Sequence, residues 1–238
     1  MNAYIIVEGE KTEMTVYPAW LSIIAPNMHR IDDARNLTHN SYYIFCGYGI
    51  PHIYQHIVNS VKDINDINSK GGSTYDYLIV CLDTEDETRA VIEKKLNEYL
   101  KKEKAFPQGF QIIIFEQKVC METWFLGNRR LFKDNPSARN MIDYLHHYNV
   151  KTENPEEMES IDPCRWNKAT FHLKYLKAMV AERNLKYDKN DTSEVCKPEY
   201  LNELITRYNE TSHLLTFGSW YQFVKEKMAK QNENSGNI

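Results

Sequence analysis

The sequence predicts an α/β fold: a mostly parallel sheet with helices on both faces, followed by a helical appendage. Three observations carry this expectation. Short apolar runs rich in β-branched residues recur through residues 1–130. Segments with helical spacing separate them, and beyond Pro136 no run reads as a buried strand.

The strand runs are 4–7, 42–46, 77–82 and 111–115. Between them, 13–24 turns Val16, Leu21 and Ile24 inward. Segment 51–64 opens on a proline suited to a first helical turn and repeats Ile53, Ile57, Val61 and Ile64. Segment 88–104 sets Val91, Ile92, Leu96 and Leu100 against a face of Glu and Lys. Further helices are expected at 138–148, 167–184, 199–208 and 219–230, joined by linkers rich in Asn, Asp, Glu and Pro. The expected organisation is a sheet domain at 1–135, a helical appendage at 136–230 and a disordered tail at 231–238.

Composition excludes several classes. At 238 residues, 42% hydrophobic and 26% charged, the chain suits a folded soluble protein. No apolar run approaches the roughly 20 residues of a membrane span. The apolar start runs directly into Glu8 with no basic region before it, which points away from a signal peptide and toward a cytoplasmic chain. Five scattered cysteines without a Cys-x-x-Cys pair exclude a zinc ribbon, and their odd number opposes a disulfide framework. Buried free thiols are expected. A net charge of −4 means that binding a nucleic acid would need local basic surface, a metal or a partner.

Acids follow the strand runs. Glu8-Gly9 follows the first, Asp83-Thr84-Glu85-Asp86-Glu87 the third, and Glu116 and then Glu122 the fourth. Parallel strands gather their carboxyl ends, so these groups are expected in one crevice. Converging carboxylates need compensation, and hard oxygen ligands favour Mg²⁺, Mn²⁺ or Ca²⁺ over zinc. In Asp83-x-Glu85, residues i and i+2 of an extended chain point to one side, so both can face one ion. Gly9 suits a sharp bend or a close approach. Asp86 and Glu87 read as a helix N-terminus.

Glu8-Gly9-Glu10-Lys11-Thr12-Glu13 resembles the first motif of TOPRIM domains in its Glu-Gly-x-x-Thr-Glu form. Leu78-Ile-Val-Cys-Leu-Asp83-Thr-Glu85 resembles the second, with glutamate where the family usually has an aspartate. Lys118-Val-Cys-Met-Glu122-Thr-Trp124-Phe125-Leu126 is similar to the Glu-x-Trp-x-Leu segment of TOPRIM nucleases in anti-phage systems. Those are the RloB-like proteins and the PARIS nuclease subunit, relatives of the OLD-family nucleases.

The resemblance covers residues 1–130. It implies a Mg²⁺- or Mn²⁺-dependent endonuclease using one or two ions, with catalytic Glu8, Asp83 and Glu85, and Glu13 and Glu122 as further metal ligands. It also implies a toxic effector of anti-phage defence that works beside an ABC-type ATPase and acts as a homodimer. Its substrate would be RNA, tRNA among the options, or DNA. The alternative is a non-catalytic TOPRIM scaffold or a nucleic-acid-binding repair module.

Other signals are weaker. Gly9-Glu10-Lys11-Thr12 lacks the Gly-x-x-x-x-Gly-Lys-Thr of a P-loop, so no ATP hydrolysis is expected. His52 and His56 read as surface or core histidines. Lys118 is a candidate for stabilising charge on a reacting phosphate. Arg129, Arg130, Lys133 and Arg139 are either phosphate contacts or solvated residues. Segment 165–189 is the most basic, with Lys168, Lys174 and Lys177 as nucleic-acid candidates. Trp166, Tyr175 and Tyr187 within it could stack bases, and Phe171, Leu176, Met179 and Val180 form its inward stripe.

Overall fold

The computed structural model describes residues 1–84 and 87–229. Glu85, Asp86 and the tail expected at 231–238 lie outside the described residues. Five successive apolar residues make β1 (Ala3–Val7), buried along its whole length. Next come α1 (Thr12–Ile24), β2 (His29–Ile31), β3 (Ser41–Cys46) and α2 (His52–Ser69). β4 (Tyr77–Asp83), α3 (Arg89–Lys102) and β5 (Gln111–Gln117) complete a five-stranded parallel sheet of order β2-β3-β1-β4-β5. Val7 pairs with Cys46 on one side and Cys81 on the other. At the edge, Gln111 N donates to Asp76 O at 3.0 Å.

Side chains alternate across this sheet. Tyr4 and Ile6 of β1 and Leu78, Val80 and Leu82 of β4 share one core with Ile53, Ile57, Val61 and Ile64 of α2 and Ile92, Leu96 and Leu100 of α3. On the opposite face, Val16, Tyr17, Trp20 and Leu21 of α1 are buried. The chain returns there at its end, where Phe223 packs edge-on against Tyr77, ring centres 5.2 Å apart, and Met228 O accepts from Asn27 Nδ2 at 3.0 Å. The expected helix faces hold with two corrections. Val91 is 42% exposed, because the inward stripe of α3 runs 92–96–100 and leaves position 91 outside it. Ile24 is only half-buried, at the last position of α1. β2 escaped the sequence reading because His-Arg-Ile contains no apolar run.

The chain forms two compact units. One comprises Met1–Leu82, Glu87–Glu116 and the stretch from Gln222; the other comprises Gln117–Tyr221 with Asp83 and Thr84. The second unit is built from α4 (Met121–Phe125), α5 (Arg139–His147), α6 (Lys168–Ala181), α7 (Pro198–Glu210) and α8 (Leu215–Phe223). Three expected helices appear within a few residues of their predicted ends. The last starts earlier, at Leu215, and passes into a π turn at Val224–Ala229. No helix among the described residues is long and apolar enough to cross a membrane.

Two buried charged side chains knit the second unit together. Glu156 is 3% exposed and accepts from Leu215 N at 2.8 Å and Thr216 N at 3.0 Å, capping the start of α8. Arg207, fully buried on α7, donates to the carbonyls of Gly127 (3.1 Å), Val150 (2.7 Å) and Glu153 (2.6 Å). It also faces His213 Nδ1 at 3.0 Å, and burial first, then Arg129, lowers its pKa to about 10. Arg207→Met should therefore cost about 3–5 kcal/mol, because three buried carbonyls lose their donor. Urea unfolding measures this; a loss below about 1 kcal/mol would show that the carbonyls find other donors.

Candidate functional site

β1 delivers Glu8 at its carboxyl end, half-buried. Its backbone carbonyl accepts from Cys46 Sγ at 3.1 Å, tying the exits of β1 and β3 together. Gly9 makes room here: a Cβ would overlap the Glu13 carboxylate, which the first turn of α1 folds back over it. Glu13 is 7% exposed. On the other side Gly49 (φ 73°) brings bare backbone to Glu8, since even a Cβ there would stand 3.5 Å from Glu8 Oε1. Burial first, and then Glu13, Glu10 and Glu8, raises the Cys46 thiol, as expected where negative charge is concentrated. The first unit thus holds Glu8 and Glu13 at one turn.

Asp83 ends β4, half-buried. In the second unit Thr84 N donates to Gln117 O at 3.1 Å, and Val119 N donates to Thr84 Oγ1 at 3.3 Å. Val119 takes φ 71°, a left-handed conformation that costs a β-branched residue roughly 1–2 kcal/mol. This strained turn sets the next residues into α4, where Glu122 is 3% exposed. Tyr187 donates to Glu122 Oε1 at 3.0 Å, and Lys189 Nζ lies 3.8 Å from the same oxygen. Burial first, then Glu122 and Asp83, pushes the Cys120 thiol far up. Both acids therefore act on one fully buried group. Sequence spacing gives no sign of the Tyr187–Glu122 pair, because the two residues lie 65 positions apart.

His172 sits beneath this turn, fully buried. Its Nε2 meets the carbonyl of Met158 at 2.9 Å, so that nitrogen carries the hydrogen and Nδ1 accepts from Thr123 Oγ1 at 2.7 Å. Burial drives its pKa down to about 4.

The expected cations are largely engaged. Lys118 Nζ pairs with Glu157 at 2.6 Å. Arg129 bonds Glu203 at 2.7 Å and Glu210 at 2.8 Å, and Arg130 takes the other oxygen of Glu203 at 3.0 Å. Lys133 pairs with Glu182, Lys168 with Glu159 and Lys177 with Asp188, while Arg139 is exposed. Lys174 and Arg165 both lie 4.8 Å from the ring centre of Trp166. Tyr175 and Tyr187 are buried and so cannot stack bases, and the half-buried Trp166 ring is already stacked on Phe171, with centres 6.4 Å apart. Of the cysteines, Cys46, Cys81 and Cys120 are buried free thiols, but Cys164 is exposed because it lies in a polar linker.

Among the described residues no group of three or more His, Cys, Asp or Glu side chains is arranged to hold a metal ion. Comparison of the chain with protein-family models, curated proteins and solved structures found no match.

His172 makes stability pH-dependent. Its folded pKa of about 4 lies below the ordinary 6.5, so between these values the unfolded chain binds a proton that the folded chain refuses. Stability is complete above pH 6.5 and falls as pH drops toward 4, by about 3 kcal/mol over the whole window. His213, lowered by burial and Arg207, adds in the same direction. Urea midpoints from pH 7 to 5 should fall in wild type and change far less in His172→Gln; equal slopes would refute the assignment.

Proposed function

We propose that this chain is a divalent-metal-dependent phosphodiesterase of the TOPRIM type that cleaves nucleic acid. The observation that carries the reading is the closure of the Glu8–Glu13 turn. A buried carboxylate folded over Gly9 and a half-buried one at the exit of a central parallel strand concentrate negative charge at this turn, which helps to raise the Cys46 thiol. The donors are carboxylate oxygens, which suits Mg²⁺ or Mn²⁺. Glu8 and Glu13 would hold the ion in the first unit, and the resemblance to TOPRIM domains assigns Asp83, Glu85 and Glu122 to metal as well. A bound ion of this kind supplies an activated water and offsets charge on the phosphate.

The chain's own residues position these groups. Gly9 lets Glu13 close on the turn, Thr84 supports the strained Val119, and Tyr187 with Lys189 holds Glu122 in place. Lys118 would approach a phosphate by exchanging its exposed pair with Glu157, a pair of the kind worth under about 1 kcal/mol. In the biological reading the nuclease is an anti-phage effector, held latent by an ABC-type ATPase and active as a homodimer.

The test is cleavage of tRNA, single-stranded DNA and plasmid by purified protein with Mg²⁺ or Mn²⁺, across protein concentrations. Cleavage should require the metal and fall on the order of a thousandfold in Glu8→Ala, the equivalent of several kcal/mol of lost charge stabilisation. Near-normal metal-dependent activity in folded Glu8→Ala would defeat the reading, and a protein that binds no Mn²⁺ would favour the non-catalytic alternative. Gly9→Ala should likewise lose activity and also lower the unfolding midpoint, because a Cβ there displaces the buried Glu13 carboxylate. Unchanged cleavage in Gly9→Ala would show that Glu13 plays no part.

A further inference from the structure

Glu8 shares its end of the sheet with a tyrosine that packing alone does not account for. Tyr54 stands in the first turn of α2, 2% exposed, its ring stacked on Tyr99 with centres 5.2 Å apart and planes 22° from parallel. The stacking fixes the ring. Its hydroxyl is nevertheless buried without a hydrogen-bond partner among the described residues. Such a group costs roughly 1–3 kcal/mol, and folded proteins retain few.

The surroundings explain what could satisfy it. Tyr4 and Ile6 face α2 and α3, so the next even residue of β1, Glu8, leaves the strand toward the same side. Gly49, three residues before the start of α2, leaves room for its carboxylate. Glu87, just ahead of α3, pairs one oxygen with Lys95 and keeps Oε2 buried without a hydrogen-bond partner among the described residues. Burial first, then Glu87, Tyr99 and Glu8, raises the Tyr54 phenol, so it remains a donor at neutral pH. An unmet donor on α2 and an unmet acceptor just ahead of α3 thus lie in the first unit, and the Tyr54 hydroxyl feels the charge of both Glu87 and Glu8.

We infer that Tyr54 and Glu87 hold the hydration shell of a divalent cation bound at Glu8. This rests on the reading of Glu8 as a metal ligand. Two carboxylates repel a phosphate oxygen and attract a hydrated cation. Water on such an ion would donate to Glu87 Oε2 and to the Tyr54 oxygen, and the phenolic hydrogen would be left for Glu8. One ligand then meets both unmet groups. Tyr54 is a positioning residue in this scheme, and Glu87, which the sequence presents as an ordinary helix start, acquires a role in the site.

Tyr54→Phe keeps the ring and its stacking and removes only the hydroxyl. Mn²⁺ affinity is measured by calorimetry for wild type, Tyr54→Phe and Glu8→Gln, alongside urea stability without metal. Tyr54→Phe should bind Mn²⁺ about tenfold more weakly, as expected for one lost hydrogen bond. Its metal-free stability should be unchanged or higher, because the hydroxyl has no partner to lose. Wild-type Mn²⁺ affinity in Tyr54→Phe overturns the inference. If Glu8→Gln has meanwhile lost Mn²⁺, the metal reading of Glu8 survives without Tyr54. If Glu8→Gln binds as wild type does, or wild type binds no Mn²⁺, the reading and the inference fall together.

Discussion

β1 is hydrogen-bonded on both edges, to β3 and β4, and covered by helices on both faces, so every residue of Ala3–Val7 is buried. A strand so enclosed has no place for a charged side chain, which would lose its hydration without gaining a partner. The first charged residue therefore marks where the chain leaves the sheet. That residue is Glu8, and Gly9 follows because Glu13 closes over it. The same rule acts on β4, where Leu78–Leu82 are buried and Asp83 is the first charged position. The placement of acids at strand ends is thus a consequence of burying the strands, and their chemistry is available because they stand at the boundary.

The second unit solves a different problem. Its α5 and α8 are nine residues each, too short to be stable alone, and they depend on tertiary partners. Buried polar groups supply many of them. Glu156 caps α8, Arg207 satisfies three carbonyls, and His172 joins Thr123 to Met158. Each of these groups is expensive to bury alone and each is met, so they specify one arrangement of the short helices. The Glu122 segment inherits its position from this network. Trp124 Nε1 donates to Thr216 Oγ1 at 2.8 Å, and Thr216 is itself bonded to Glu156.

Charge is distributed unevenly between roles. Acids collect at strand exits, whereas most of the Lys and Arg residues expected to meet phosphate are paired with carboxylates of their own unit. Arg165 and Lys174 instead lie over the Trp166 ring. With a net charge of −4 the chain has little long-range attraction for a polyanion. Under the proposed function, a bound cation would supply the positive charge that the surface lacks.

Local pattern was enough to place the four long strands, the helices between them and the carboxylates that follow them, because burial of a parallel strand leaves a continuous apolar run ending at a polar residue. Glu8, Gly9 and Glu13 were legible together, since they lie on one turn of chain. What pairs across long sequence separations was not. Tyr187 reaching Glu122, Glu203 taking up Arg129 and Arg130, and Tyr54 placed beside Glu8 and Glu87 all depend on which elements the tertiary structure packs together. β2, too short and polar to leave a pattern, was decided by the free edge of β3. Sequence determined where each segment becomes apolar or charged; only folding decided which distant charges and hydroxyls would meet, because hydrogen bonds and ion pairs are selected by distance in space and leave no period along the chain.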